Sequence, residues 1–138
     1  MDEMQLSIEK LREKFVPGWL DVIDIDEGWY QIVLDCDKEL TKLDPDYKLH
    51  QVKEKFGELR YYIRQSDECG LGTLGVMNEI IQKYEILSSQ TCEATGHHGV
   101  LMRASVGRLK TLNPDYAATS QHYARYSPVK KTAGLDFQ

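Results

Sequence analysis

The chain has 138 residues and a formal net charge of −5 at pH 7, with 41% hydrophobic and 28% charged residues. No apolar run approaches the roughly 18 residues of a membrane span, the acidic N-terminus is unlike a secretory signal, and three cysteines without paired spacing argue against a disulfide scaffold. We therefore expect one soluble domain with a single core in a reducing compartment, the cytoplasm, and no membrane partner.

The first third of the chain predicts two helices separated by an extended segment. Apolar residues at helical spacing indicate a helix over residues 7–15. Residues 19–25 are rich in β-branched side chains and favour a strand. Asp26 is predicted to cap the next helix, whose apolar stripe runs from Trp29 to Leu43 until Pro45 ends it.

The centre of the chain, residues 50–64, predicts a β-hairpin. Apolar and polar residues alternate along its second strand, which is typical of a strand with one buried face. The predicted buried side chains are Leu59, Tyr61 and Ile63, and the predicted exposed ones are Arg60, Tyr62 and Arg64. Phe56 and Gly57 form the predicted turn, because glycine adopts positive φ without steric cost.

The remainder predicts a helix over residues 74–88, two short strands at residues 100–102 and 108–112, and a last helix from Pro114 to Tyr123. This order of elements indicates an α+β fold in two layers, with a small antiparallel sheet and its central hairpin packed against two or three helices. We expect a single domain over residues 1–126 and a flexible tail over residues 127–138. The predicted core comprises Trp29, Val33, Cys36, Leu40, Leu59, Tyr61, Ile63, Met77, Ile81 and Tyr84.

Residues 28–30 at a helix start, the hairpin sequence of residues 51–62, Cys92 and residues 110–112 together resemble a family of small uncharacterised proteins from phage and bacterial genomes. The resemblance covers residues 18–116 and implies this fold and a phage-type origin, without implying an activity. Members of the family often end in a zinc-binding knuckle. The present chain keeps only Cys92 of that ligand set, and Thr95, Asn113 and Tyr116 stand at the other ligand positions. Because Thr and Asn are poor zinc ligands, the knuckle is interpreted as degenerate.

Two other groups of residues contain side chains that commonly bind metal ions. Cys92, His97 and His98 are close enough in sequence to share an ion, with Cys69 or His122 as a fourth ligand, but adjacent histidines rarely chelate one ion well. The acidic run of Asp21, Asp24, Asp26 and Glu27 lacks the ligand spacing and the final Glu of a calcium loop. We therefore predict no metal and no other cofactor.

No phosphate-binding loop, nucleophile elbow or HExxH helix occurs in the sequence, so no catalytic residues are assigned and a binding protein is favoured over an enzyme. Guanidinium groups beside an aromatic ring suit a ligand that contains phosphate and a base. The predicted ligand-binding residues are Arg60, Tyr62 and Arg64 on the hairpin, extended by Arg103, Arg108 and Lys110 on the later strands. The alternative interpretation is a solvated sheet face on which Arg and Tyr pair across strands.

These observations lead to the hypothesis of a non-enzymatic, phage-type accessory protein of the host cytoplasm. Such a protein would bind and block a host protein or sequester an anionic nucleotide signal. Two alternatives stay open, namely a small enzyme acting on a nucleotide or its phosphate, and a degenerate zinc-knuckle protein that binds nucleic acid. The net charge of −5 argues against general binding of duplex DNA. A homo-oligomer is compatible with the sequence.

Overall fold

Four α-helices and six β-strands make up residues 2–129, the part of the chain that the structure, a computed structural model, describes. The helices are α1 (Glu3–Lys10), α2 (Tyr30–Leu43), α3 (Leu71–Ser88) and α4 (Pro114–Thr119), with 3-10 turns at Leu11–Lys14 and Glu27–Trp29. The strands are β1 (Ile23–Asp24), β2 (Lys48–Lys55), β3 (Glu58–Arg64), β4 (Val100–Arg103), β5 (Leu109–Leu112) and β6 (Ser127–Pro128).

The strands form two three-stranded sheets, with the orders β1-β2-β3 and β5-β4-β6. In the first sheet β2 and β3 are the predicted antiparallel hairpin, and β1 pairs with β2 in parallel. The second sheet is antiparallel throughout. The α+β prediction is therefore confirmed, while the first sheet is mixed rather than purely antiparallel.

The main core lies between the first sheet and helices α1, α2 and α3, and it contains the predicted residues. Eight of them are buried in one cluster, and Ile63 and Tyr84 pack against it from partly buried positions. The Trp29 ring and the Leu59 side chain are both fully buried. Leu43, predicted to continue the α2 stripe, is instead 42% exposed at the end of that helix.

The hairpin turn has the backbone of a type I′ turn, with φ of 54° at Phe56 and 82° at Gly57. A bulge interrupts the other end of the hairpin: Leu49 pairs with Ile63 and Gln51 with Tyr62, so His50 is the extra residue. Because of this extra residue, Leu49 and Val52 both face the core although they are three positions apart.

Helix α3 covers the outer edge of β3. The backbone N–H of Leu59 donates to the Ser88 hydroxyl at 2.9 Å, and the N–H of Tyr61 donates to the Glu85 carboxylate at 3.3 Å. These side chains take the place of a further strand, so the edge does not present a free row of donors at these positions.

The second sheet is attached to the first part of the fold through tight contacts. The Trp29 indole donates to the Thr91 carbonyl at 2.8 Å, and the Thr111 hydroxyl donates to the Gly57 carbonyl at 2.6 Å. Gly28 lies against residue 93 so closely that a Cβ at this position would be 2.3 Å from the Glu93 carbonyl oxygen. The two parts are therefore packed as one body at this junction.

Several element boundaries differ from prediction for local reasons. Helix α1 begins at Glu3 because Asp2 and Gln5 form a capping box. Helix α3 begins at Leu71, three residues before the predicted start, and α4 ends at Thr119 rather than at Tyr123. The predicted flexible tail starts at a short strand, since Ser127–Pro128 pair with β4, while its residues 130–138 lie outside the described part of the chain.

Candidate functional site

The polar face of the first sheet, here called the outer face, carries a regular set of cross-strand pairs. Alternation along β2 and β3 directs these side chains away from the core. The pairs are Lys48 with Arg64, Gln51 with Tyr62, Lys53 with Arg60, and Lys55 with Glu58. Asp24 of β1 stands beside Lys53. The outer face thus has five basic and two acidic side chains on a protein whose net charge is −5.

A groove of about 420 Å³, here called the aromatic groove, lies on this face. It is lined by Trp19, Leu20, Val22, His50, Gln51 and Tyr62. Trp19 is 59% exposed and Tyr62 46% exposed, so both rings are available to a ligand. The Trp19 ring meets the His50 ring edge-on, with centroids 4.3 Å apart.

The position of Trp19 follows from how the segment before β1 is anchored. The Val16 N–H donates to the Leu49 carbonyl at 3.0 Å, and the Val52 N–H donates to the Val22 carbonyl at 3.0 Å. The chain between these two bonds therefore runs beside β2. The bulge at His50 brings the imidazole to the same place.

The charges on the outer face differ in how fully they are paired. Arg60 forms an ion pair with Glu58 at 2.8 Å, which leaves part of its guanidinium free. Arg64 and Lys48 make no ion pair within residues 2–129. The Nδ1 atom of His50 is buried and has no hydrogen-bond partner among the described residues. Unpartnered buried polar atoms are few in native proteins and require an explanation.

The structure brings Arg60, Tyr62 and Arg64 together on the outer face, as predicted from their alternation. It does not add Lys110 to them. Lys110 is buried, with its ammonium group 2.7 Å from a Glu93 carboxylate oxygen and 3.4 Å from an Asp26 oxygen.

Arg108 and Lys110 line a second cavity, here called the junction cavity, of about 390 Å³ between the two sheets. Its walls also contain Asp24, Asp26, Glu54 and Glu93. Arg103 lies elsewhere, in a third cavity with Arg125 and Ser127. The three later basic residues therefore do not form one surface with the hairpin arginines.

Asp26 also differs from its predicted role, because its side chain does not cap the following helical turn. Instead, its backbone N–H donates to the Glu93 carboxylate at 3.0 Å, and its carboxylate lies beside Lys110. The Asp26 carboxylate thus lies at the exposed edge of a charge cluster, whose other members Lys110 and Glu93 are buried, and does not cap a helix.

Burial and hydrogen bonding shift the pKa values of Lys110 and Glu93. Burial lowers the pKa of Lys110, but the hydrogen bond and charge of Glu93 outweigh it and raise that pKa to about 12. Burial raises the pKa of Glu93, and the hydrogen bond from Lys110 opposes this shift. Lys110 is thus a protonated partner of Glu93 and does not supply a free amine for nucleophilic chemistry.

The region that resembles a zinc knuckle is built around apolar contacts. Cys92 is fully buried in a cluster with Met102, Leu112 and Ala117. The Asn113 side chain accepts a hydrogen bond from the Tyr116 N–H at 3.0 Å and caps α4. Within residues 2–129 no three His, Cys, Asp or Glu side chains are arranged to hold a metal ion. Cys36, Cys69 and Cys92 are free thiols.

The sequence patterns did not indicate Trp19 or His50 as groove residues, nor Lys48 and Lys53 as the basic cross-strand partners of Arg64 and Arg60. Trp19 is held beside the hairpin by the bond from Val16 to Leu49 and by the parallel pairing of the two-residue strand β1, and neither leaves a periodic pattern in the sequence. The bulge did leave a signal. Leu49 and Val52 are apolar and three positions apart, which a regular strand cannot direct to one face.

Known proteins give no further guidance on this chain. It matches no protein family, no curated protein and no solved structure. No helix within residues 2–129 has the length and apolar character needed to span a membrane. The resemblance to a phage and bacterial family stays a prediction.

Proposed function

We propose that this protein binds an anionic, base-containing ligand of the nucleotide class on its outer face, without chemical turnover. The observation that carries the proposal is the position of the aromatic groove. Tyr62 lies in the row between the pairs Lys48–Arg64 and Lys53–Arg60, with Trp19 on the same groove. An exposed ring flanked on both sides by cations suits a stacked base with phosphate beside it.

The charge distribution supports a local site over general affinity for polyanions. The chain as a whole is acidic, with a net charge of −5, and the basic side chains of its central part are concentrated on β2 and β3. Long-range attraction to duplex DNA would be weak for such a protein, because that attraction depends on neutralising many phosphates. A small anion that contacts the basic side chains of the outer face directly does not require such long-range attraction.

We place this binding activity in the host cytoplasm and in a phage-type accessory role, in which the ligand is withdrawn from a host pathway. Blocking a host protein through the same face is the second form of this proposal. The exposed arginines would then contact an acidic surface of the partner. The two forms of the proposal differ in whether the aromatic rings are needed for binding. The rings can stack on the base of a nucleotide, but they add little affinity for an acidic protein surface.

An enzyme acting on a nucleotide receives less support from the geometry. The junction cavity contains carboxylates and a lysine, but Lys110 is held by Glu93 and Asp26. Glu58 on the outer face is paired with Arg60, Asp24 stands beside Lys53, and none of the six residues that line the groove is acidic. This arrangement offers cations and rings for binding, and His50, whose ring packs against Trp19, is the groove side chain that could act as a general base.

The proposal is tested by incubating the purified protein with a mixture of nucleoside phosphates and short oligonucleotides from a nuclease digest of RNA. The protein is then desalted and denatured, and the released compounds are identified by chromatography. Release of an intact compound supports binding without turnover. New products in the mixture would instead support the enzyme alternative, and the absence of any bound compound would contradict the proposal.

Arg64→Ala is the matched variant, because Arg64 is exposed and makes no ion pair within residues 2–129. It should weaken binding by about 1.5–3 kcal/mol, the value of a charge-assisted hydrogen bond, and leave stability unchanged. Arg60→Ala should have a similar or smaller effect because Glu58 already occupies part of the guanidinium. Lys42→Ala, an exposed lysine at the end of α2, serves as the control.

A further inference from the structure

We infer that the outer face binds a segment of single-stranded nucleic acid rather than a free mononucleotide. This inference rests on the proposed function. The inference comes from the order of groups along the hairpin. Two basic cross-strand pairs stand on opposite sides of the Gln51–Tyr62 pair, and two exposed rings line one groove.

The spacing of the basic pairs requires more than one phosphate. Arg60 and Arg64 are four residues apart on β3, which corresponds to about 13 Å at about 3.3 Å per residue. A base stacked on Tyr62 lies between them. A phosphate on each side of one base is a property of an internal nucleotide, which has both a 5′ and a 3′ phosphate. A nucleoside 5′-monophosphate has only one and would leave one of the basic pairs without a partner.

The second ring extends the same argument to a neighbouring base. Trp19 is 59% exposed and lies with Tyr62 on the wall of one groove. Proteins that bind single strands stack successive bases on exposed aromatic side chains and follow the backbone with basic ones. Both features are present here on one sheet face. A duplex does not fit, because its bases are paired and stacked on one another and cannot reach the rings.

The groups on the outer face favour binding of the strand without strict sequence recognition. Lysine and arginine contact phosphates, and stacking accepts every base. Gln51 is the one amide side chain in the central row, and it can donate to or accept from a base edge. RNA and DNA share the chemistry that these groups recognise, so both are included in the experiment.

The test measures competition against a fluorescein-labelled ten-residue oligo(A) by fluorescence anisotropy. The competitors are AMP, adenosine 3′,5′-bisphosphate, the trinucleotide pApApA, ten-residue oligo(rA) and oligo(dA), a ten-base-pair duplex, and a ten-residue polyglutamate peptide. We expect the bisphosphate to compete better than AMP, and the trinucleotide to bind at least tenfold more tightly than AMP. The duplex and the peptide should compete poorly.

Each contrary result has a distinct meaning. If AMP binds as tightly as the trinucleotide, the inference is wrong while the proposed nucleotide site stands. If none of the nucleotide probes binds, both are wrong. Equal competition by polyglutamate would overturn nucleotide recognition and support an acidic protein partner.

Two exposed rings allow the stacking argument to be tested without loss of the fold. Trp19→Ala and Tyr62→Ala should each weaken oligonucleotide binding about 5- to 150-fold, while AMP binding changes less for Trp19→Ala. Trp19→Phe should retain most of the affinity. Unchanged oligonucleotide binding in both alanine variants, with melting temperatures equal to wild type, would overturn the inference.

Salt dependence gives a second, independent readout. If each of the two basic pairs neutralises one phosphate, the logarithm of the binding constant should fall with the logarithm of salt concentration with a slope of about −1.4. Replacing both Lys48 and Arg64 by Gln removes one pair and should reduce the magnitude of that slope by about 0.7. Lys42→Gln should leave it unchanged. A slope near zero in the wild type would contradict phosphate contacts at both pairs.

Discussion

Replacing Lys110 by Met should destabilise the protein strongly at neutral and alkaline pH. In the wild type the Lys110 ammonium group lies 2.7 Å from the carboxylate of Glu93, whose residue is only 1% exposed. The methionine side chain keeps the volume and removes the charge. Among residues 2–129, the Glu93 carboxylate then retains only the Asp26 N–H at 3.0 Å as a hydrogen-bond donor.

The expected size follows from leaving a carboxylate buried without its counter-ion. Loss of one partner of a buried ion pair costs about 3–5 kcal/mol. For a chain of this length that corresponds to a fall in melting temperature of about 10–20 °C. Because a domain of this size has a total stability of about 5–15 kcal/mol, the variant should still fold at 25 °C.

The loss should depend on pH in a direction that the pKa of Glu93 determines. Burial already raises that pKa, and removing the opposing lysine raises it further. A carboxyl with a raised pKa in the folded state is protonated there before it is in the unfolded state. Its destabilising effect is therefore absent below the ordinary pKa of glutamate, grows as pH rises from that value to the raised folded-state pKa, and is constant above it. The variant should approach wild-type stability near pH 4–5 and differ most near pH 8.

The assay is urea unfolding followed by tryptophan fluorescence, which reports on the fully buried Trp29. Glu93→Gln combined with Lys110→Met removes both charges and should recover most of the lost stability, since the amide can still accept from Asp26. Lys42→Met is the control for loss of an exposed lysine. A Lys110→Met variant within about 1 kcal/mol of wild type at pH 8, or a loss that does not change with pH, would refute this reasoning.

The remaining predictions concern the core, the turn, the junction and the metal. Leu59→Ala should cost about 2–5 kcal/mol, since Leu59 is fully buried, and an unchanged melting temperature would show that it is not packed. Phe56→Asn should stabilise the protein by about 1 kcal/mol because Asn tolerates the positive φ of 54° better, whereas a loss in urea midpoint would show that the exposed Phe56 ring is stabilising. Gly28→Ala should destabilise strongly, because its Cβ would stand 2.3 Å from the Glu93 carbonyl oxygen; a variant as stable as wild type in thermal unfolding would disprove that close approach. Treatment with a zinc chelator should leave the circular dichroism spectrum unchanged, and stoichiometric zinc lost together with structure would count against this expectation.

Local patterns predicted the elements whose side chains have a clear period. The alternation of Leu59, Tyr61 and Ile63 was sufficient to assign the buried and exposed faces of β3, because a strand has a period of two. The stripe from Trp29 on α2 was equally clear. These patterns depend only on residues that are close together in the sequence, so they can be recognised in one sequence alone.

Features that depend on distant residues could not be read in this way. Asp26 is of a residue type that commonly caps helices, yet its carboxylate lies beside Lys110, 84 positions later in the chain. Lys110 lies at a position of its strand where the sequence predicts an exposed side chain, and its burial is explained by the ion pair with Glu93. The parallel pairing of β1 with β2 likewise depends on where the chain returns. Of the candidate site, the sequence therefore predicted only the residues of β3, namely Arg60, Tyr62 and Arg64, because this strand has a regular alternating pattern.

The side chains that cover the edge of β3 bear on how this protein would aggregate. Ser88 lies at the C-terminal end of α3 and Glu85 within its last turn. When that turn opens, the N–H groups of Leu59 and Tyr61 lose their acceptors while the hairpin stays formed. A second molecule can then add a strand at this edge. Substitutions that open the last turn of α3 would thus favour concentration-dependent association before global unfolding. The end of this helix therefore protects the protein against polymerisation through the edge of β3.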